Sequence, residues 1–188
     1  VVLTPFQLPR MKPAWPAMKW LWLTWTLWGL LLSTGLAKAE VNSPDQDLIV
    51  QRAYWEDLSA QASFATAQQK PYTPFEGIFS RGYTEAVHWV RLTLAPSPQA
   101  LALLITPSWL DSITLYDPAQ PDAPTTVGDR HALRQNALPG LGHSIELPPS
   151  AASRNVWLRV QTTSSTLMHV KAIPLDQVPQ HGSRQILW

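Results

Sequence analysis

The chain has 188 residues with 14 Lys plus Arg against 13 Asp plus Glu, and no cysteine. That length suits one domain of ordinary size, and the missing cysteine excludes a disulfide framework, a thiol nucleophile and a cysteine metal site. All 13 acids lie from Glu40 onward while four of the bases precede it, so the rest carries ten bases against thirteen acids, with no electrostatic footprint for nucleic acid or anionic lipid.

Residues 1–39 read as upstream sequence and an export signal. Met18 and Lys19 give a short positive start, and Leu21 to Leu32 is an apolar run broken only by two threonines and a glycine. The run gives way to small residues ending Ala37-Lys38-Ala39, the side chains a signal peptidase accepts, which predicts cleavage after Ala39. Met11 and Met18 are both candidate starts. The alternative is an uncleaved membrane anchor, since Trp20 to Leu36 approaches spanning length and five of the ten tryptophans fall between Trp15 and Trp28. Both readings put the remainder outside the cytoplasm.

After a linker over 40–46, the stretch DLIVQRAYWED supplies at least one strand, and DLSAQASFATAQQ, 57–69, predicts a helix of barely three turns. AVHWVRLTLA alternates with period two: Val90, Leu92 and Leu94 share a face with His88, while Trp89, Arg91 and Thr93 share the other. ALALLITP, from Ala100, is continuously apolar, and SITLYD, 112–117, alternates again. PDAPTT, 121–126, reads as a proline-stiffened hairpin loop, and HSIELP, 143–148, lies between a PGLG turn and a double proline. In NVWLRVQT, Val156, Leu158 and Val160 oppose Trp157, Arg159 and Gln161; in TLMHVKAIPL, Met168, Val170 and Ala172 oppose Leu167, His169 and Lys171. The strings WVRL and WLRV are best read as equivalent strands of one sheet, since the surrounding sequence supports no tandem repeat.

Seven or so short strands, one short helix, and 18 prolines against 8 glycines predict an all-β fold, an antiparallel β-sandwich or jelly roll over about residues 47–176, with a connector over 177–188.

Asp57-Leu58-Ser59, then Trp89-Val90-Arg91-Leu92, Trp109-Leu110-Asp111-Ser112-Ile113-Thr114-Leu115-Tyr116, Gly128-Asp129 followed by Arg134, and Val156-Trp157-Leu158-Arg159-Val160 form an ordered set. That set resembles the second extracellular domain of the seven-transmembrane receptors with diverse intracellular signalling modules, the DISM receptors, over about residues 46–175. The resemblance implies a periplasmic jelly roll akin to carbohydrate-binding modules, in front of seven membrane helices and a cytoplasmic diguanylate cyclase or histidine kinase. The resemblance leads one to expect the first membrane helix at about RQILW, so the expectation is a fragment, a truncated product or a free-standing relative.

Candidate chemistry centres on Trp89, Arg91, Trp157 and Arg159. Residues two apart on a strand lie about 7 Å apart on one face, so a guanidinium can rest over an indole. Two neighbouring strands of this kind would make a flat aromatic and cationic plate suited to stacking sugar rings and holding their hydroxyls or carboxylates. The competing reading is that each Trp fills core and each Arg lies at its edge. Asp111, Asp117, Asp122 and Asp129 are loop carboxylates; their spacing matches no calcium loop, and turn aspartates commonly cap their own backbone. The five histidines, His88, His131, His143, His169 and His181, show no zinc spacing, and His88 and His169 read as satisfied strand residues. No nucleophile elbow or paired carboxylate motif supports an enzyme.

The expectation is therefore a noncatalytic periplasmic ligand-sensing domain of a bacterial receptor, with no cofactor and no metal. Its ligand is a small molecule or saccharide held by Trp89, Arg91, Trp157 and Arg159, and its other partners are a second periplasmic domain or a homodimer mate. The alternative is a free-standing secreted carbohydrate-binding module.

Overall fold

A computed structural model describes residues 46–131 and 142–179, all within the compact unit Asn42–Trp188. The export signal, most of the linker, Arg134, most of the PGLG turn and the connector beyond Pro179 lie outside the described residues.

Among the described residues ten strands run in chain order as β1 (Ile49–Asp57), β2 (Thr73–Pro74), β3 (Phe79–Gly82), β4 (Val87–Leu94), β5 (Leu101–Thr106), β6 (Ser112–Tyr116), β7 (Thr125–Val127), β8 (His143–Leu147), β9 (Arg154–Gln161) and β10 (Thr166–Pro174). A helix, α1 (Phe64–Gln68), follows β1, and a 3-10 turn (Leu175–Gln177) follows β10. Antiparallel pairing builds a six-stranded sheet in the order β2-β1-β4-β9-β6-β7 and a four-stranded sheet in the order β3-β10-β5-β8. The chain changes sheet at nearly every step from β3 onward, which is the winding of a jelly roll. Both edges of the large sheet are short strands, β2 with two residues and β7 with three, which limits edge-to-edge pairing.

Period-two alternation sends Val90, Leu92 and Leu94 of β4, Val156, Leu158 and Val160 of β9 and Ile113 and Leu115 of β6 against Leu101, Leu103 and Ile105 of β5, Ile145 and Leu147 of β8 and Met168, Val170 and Ala172 of β10. Each fully buried Leu, Ile or Val contributes about 1.5–3 kcal/mol of transfer free energy, so this two-sided layer is the main source of stability. Asp47 fastens the start of the domain to the small sheet: its carboxylate accepts from the Ile49 and Ala172 backbone N–H groups and pairs with Arg52.

Both outer faces are partly covered as well. On the small sheet the 3-10 turn folds back so that Val178 and Leu175 pack on Ala102, Leu104 and Ile173. On the large sheet the connection between β1 and β2 does the same. Here the expected helix over 57–69 is shorter than its apolar pattern suggested. Asp57 takes the Ser59 and Ala62 N–H groups on its carboxylate, Ala60 has φ 56°, and the helix begins only after Ser63, whose hydroxyl caps the Thr66 N–H. The segment 121–126 is not all loop either, since Thr125 and Thr126 pair with Leu115 and Thr114 in β7.

Candidate functional site

β4 and β9 are neighbours, paired so that Trp89 lies opposite Arg159 and Arg91 opposite Trp157. Because both strands carry Trp-x-Arg and run antiparallel, the two residue types alternate across the outer face in two rows. One row extends to Trp55 on β1 and Thr114 on β6, the other to Ala53 and Tyr116.

Trp89, Arg91, Trp157 and Arg159 therefore share one face, but that face is roofed. The β1–β2 connection lays Phe64, Ala67 and Tyr72 over it, leaving Trp89 0% and Trp157 7% exposed. Phe64 stacks on Tyr116 at 4.7 Å and on Trp89 at 6.3 Å, and meets Trp157 edge-on at 5.5 Å. Arg91 lies over the Tyr72 ring at 4.9 Å rather than over an indole of its own strand. Arg159 donates from Nη1 to Gln161 Oε1 at 3.0 Å and from Nη2 to the Ala60 carbonyl at 3.3 Å. The reason is the size of the rings: two wet indoles on a sheet leave so much apolar area exposed that an adjacent apolar segment settles on them. What the roof does not supply is acceptors. The indole Nε1–H groups of Trp89 and Trp157 and the Tyr72 hydroxyl are buried without a hydrogen-bond partner. The Trp157 N–H is directed toward the Tyr72 oxygen without reaching ordinary hydrogen-bond geometry, and burial pushes the Tyr72 phenol up to about 12.

A second feature opens at one end of the sandwich. A cleft of about 830 Å³ is framed by the β3–β4 turn with Tyr83, Thr84 and Glu85, the start of β6 with Asp111 and Ser112, the turn after β7 with Arg130 and His131, and the end of β9 with Gln161, Thr162 and Thr163. Asp111 is its keystone. It is buried, accepts from the Thr163 N–H at 2.9 Å, from the Thr163 hydroxyl at 2.8 Å and from the Thr162 hydroxyl at 3.3 Å, and pairs with Arg130 at 3.1 Å. Burial alone would raise its pKa, but the Thr163 and Thr162 donors and the Arg130 charge outweigh it and hold the carboxyl below its usual range.

His131 Nε2 and Ser112 Oγ share a hydrogen bond of 3.1 Å, and the Arg130 side chain is 64% exposed. Gly128 makes the turn possible: its φ is +144°, and a Cβ there would lie 2.2 Å from the Asp111 carbonyl oxygen. The cleft thus offers a free carboxylate in Glu85, a guanidinium, an imidazole, several hydroxyls, and the ring of Tyr83, which is 83% exposed.

Of these cleft residues, Asp111, His131 and the Gly128 turn stand out in sequence, but Tyr83, Glu85, Arg130 and Gln161 do not. Their one signal is that polar clusters fall at strand ends, and only the topology brings those ends together. Asp117 caps the Ala119 N–H at 2.9 Å and pairs with Arg154 at 3.2 Å, while Asp122 and Asp129 are exposed. Among the described residues no three His, Cys, Asp or Glu gather where a metal could be held. His88 departs from expectation: it is buried against Phe79, neither ring nitrogen has a hydrogen-bond partner, and the nearest carboxylate oxygen, of Glu56, is 3.6 Å away.

Two partly covered sheet faces and a polar cleft at the loop end define the chain as an antiparallel β-sandwich domain with an open cleft. More specifically, the chain belongs to the 7TMR-DISM extracellular 2 family, whose model matches residues 51–173. Membership assigns the domain to the extracellular or periplasmic side of a receptor. No curated protein matches the chain. Among the described residues no helix is long and apolar enough to cross a membrane.

Proposed function

We propose that this domain is the noncatalytic ligand-sensing module of a bacterial signal-transduction receptor, whose output is of the diguanylate cyclase or histidine kinase type. The ligand is a small polar molecule, a saccharide being the first candidate, and it binds in the cleft between the β3–β4 turn and the turn after β7. The observation that carries this reading is the cleft's mixture of Glu85, Arg130, His131 and hydroxyl groups beside the exposed Tyr83 ring. Donors and acceptors of both signs suit the hydroxyls of a polyol, and an exposed phenol ring suits the apolar face of a sugar. A ligand acts on a receptor only through different affinity for two arrangements, of the domain itself or of a pair of domains. A second periplasmic domain or a homodimer mate is the partner that would register the difference.

The test is calorimetric titration with a panel of neutral and acidic mono- and disaccharides. Glu85→Gln should weaken the binding sugar by about tenfold while the unfolding midpoint stays near that of the parent, and Arg130→Ala should weaken it by a similar factor while lowering the midpoint through the lost ion pair with Asp111. If a sugar binds the parent and both variants equally, or none binds the parent, the cleft assignment is wrong.

A further inference from the structure

We infer that the roofed face of the large sheet is a second, latent ligand site, and that Phe64 occupies the place of an anionic ring compound. Three donor groups, Trp89 Nε1 and Trp157 Nε1 on the sheet and the Tyr72 hydroxyl on the connection above them, are buried without a hydrogen-bond partner, the Trp157 N–H being directed toward the Tyr72 oxygen short of a hydrogen bond. A buried donor without a partner is destabilising and uncommon, and three at one place call for a cause. The charges around them are cationic: Arg91 over Tyr72, Arg159 across from Trp89, and Lys70 with its ammonium 5.3 Å from the Trp55 ring centre. The carboxylate nearest in sequence to the roof, Asp57, is consumed by the Ser59 and Ala62 N–H groups and the Ser59 hydroxyl. The chamber is thus rich in donors and positive charge and poor in acceptors.

Its shape is that of an aromatic shelf. Phe64 lies at 17° to Tyr116 and 22° to Trp89, two neighbouring rings 5.4 Å apart that form the floor, with Trp157 standing edge-on as one wall. A benzyl ring covers such a shelf but gives the three donors nothing to bond. A flat ring bearing a carboxylate would stack in the same place, accept from the indoles and the phenol, and balance the guanidinium charges. The roof can swing about its start: Asp57 at the end of β1 holds Ser59 and Ala62, Arg159 holds the Ala60 carbonyl at 3.3 Å, and the five-residue helix beyond them, which carries Phe64, rests on the sheet through ring packing. Opening it would turn a minor conformation into the ligand-bound one.

The chemistry is shared by aromatic carboxylates and by sugar acids, so the probes are benzoate and galacturonate, with galactose as the neutral control. Each is titrated into the full chain and followed by tryptophan fluorescence and calorimetry. Phe64→Ala should bind at least one carboxylate about tenfold or more tightly than the parent, because the internal ring no longer competes. Tyr72→Phe removes an unpartnered hydroxyl, so its unfolding midpoint should equal or exceed the parent's, while its carboxylate affinity falls about tenfold. That opposite movement separates a binding role from a packing role, and it does not depend on Phe64→Ala folding. Benzoate alone binding names an aromatic acid, galacturonate alone a sugar acid, and both support the shared site. Arg130→Ala, in the cleft, should leave this binding unchanged, so the two sites fail independently. No carboxylate binding to any form, equal affinity for galactose, or indifference to Tyr72→Phe would overturn the inference.

Discussion

At the scale of single residues, Asp111 joins three segments of the chain: the start of β6, the turn carrying Arg130, and the β9–β10 turn through Thr162 and Thr163. Asp111→Asn removes the charge that makes these bonds strong, and the expected loss is about 1–3 kcal/mol, read from urea unfolding. Because the folded carboxyl titrates below its ordinary 3.8, this contribution is present above that pH and fades as the pH falls through the lower folded value. The Asp111→Asn variant should therefore show a flatter acid limb than the parent. Gly128→Ala is expected to lose about 1–3 kcal/mol to backbone strain at φ +144°, and more because the new Cβ would lie 2.2 Å from the Asp111 carbonyl oxygen. The capping role of turn aspartates was readable from composition, but the partners were not, because Thr162 and Thr163 lie some 50 positions along the chain from Asp111.

At the scale of elements, the tryptophans separate two physical readings. Trp89 is buried between the sheet and α1, so Trp89→Ala should cost about 3–5 kcal/mol by urea unfolding. A wet plate of the kind expected from the sequence would lose well under that, which makes the measurement decisive. Ser63→Ala should cost about 1 kcal/mol by removing the hydroxyl that caps α1, and should loosen the roof without touching the sheet. Strands were legible because alternation is a local property, and Val90, Leu92 and Leu94 fall inward as their spacing requires. The helix was overread, because the apolar pattern of 57–69 says nothing of the Asp57 turn that consumes its first residues. β3 and β7 are short, and β7 borrows its order from pairing with β6.

At the scale of the whole molecule, stability should depend on pH through two buried imidazoles, His88 and His143, and the half-buried His169. Burial pushes His88 down first, with Glu56 opposing and Arg81 adding to the shift; His143 and His169 are lowered as well, again chiefly by burial. A base whose folded pKa lies below its unfolded 6.5 binds more protons when unfolded, so stability is full above about pH 6.5 and falls as the pH drops toward the folded values. Urea midpoints measured from pH 8 to 4 should be level and then decline from about 6.5, and His88→Leu should remove part of the decline. A flat profile down to pH 5 would contradict the burial of these rings as neutral species.

What the sequence determined by itself is the layer that faces the other sheet, the all-β class, and the family, because alternation, turn residues and an ordered set of short strings are properties of consecutive residues. Tertiary structure alone decided the fate of the other face. Trp89, Arg91, Trp157 and Arg159 do form one surface, but the β1–β2 connection covers it, and the open cleft lies at the loop end instead. Strand periodicity tells which side chains share a face and is silent on what lies over that face. Which faces stay wet depends on where distant segments return, and that is set by the summed packing of the whole domain.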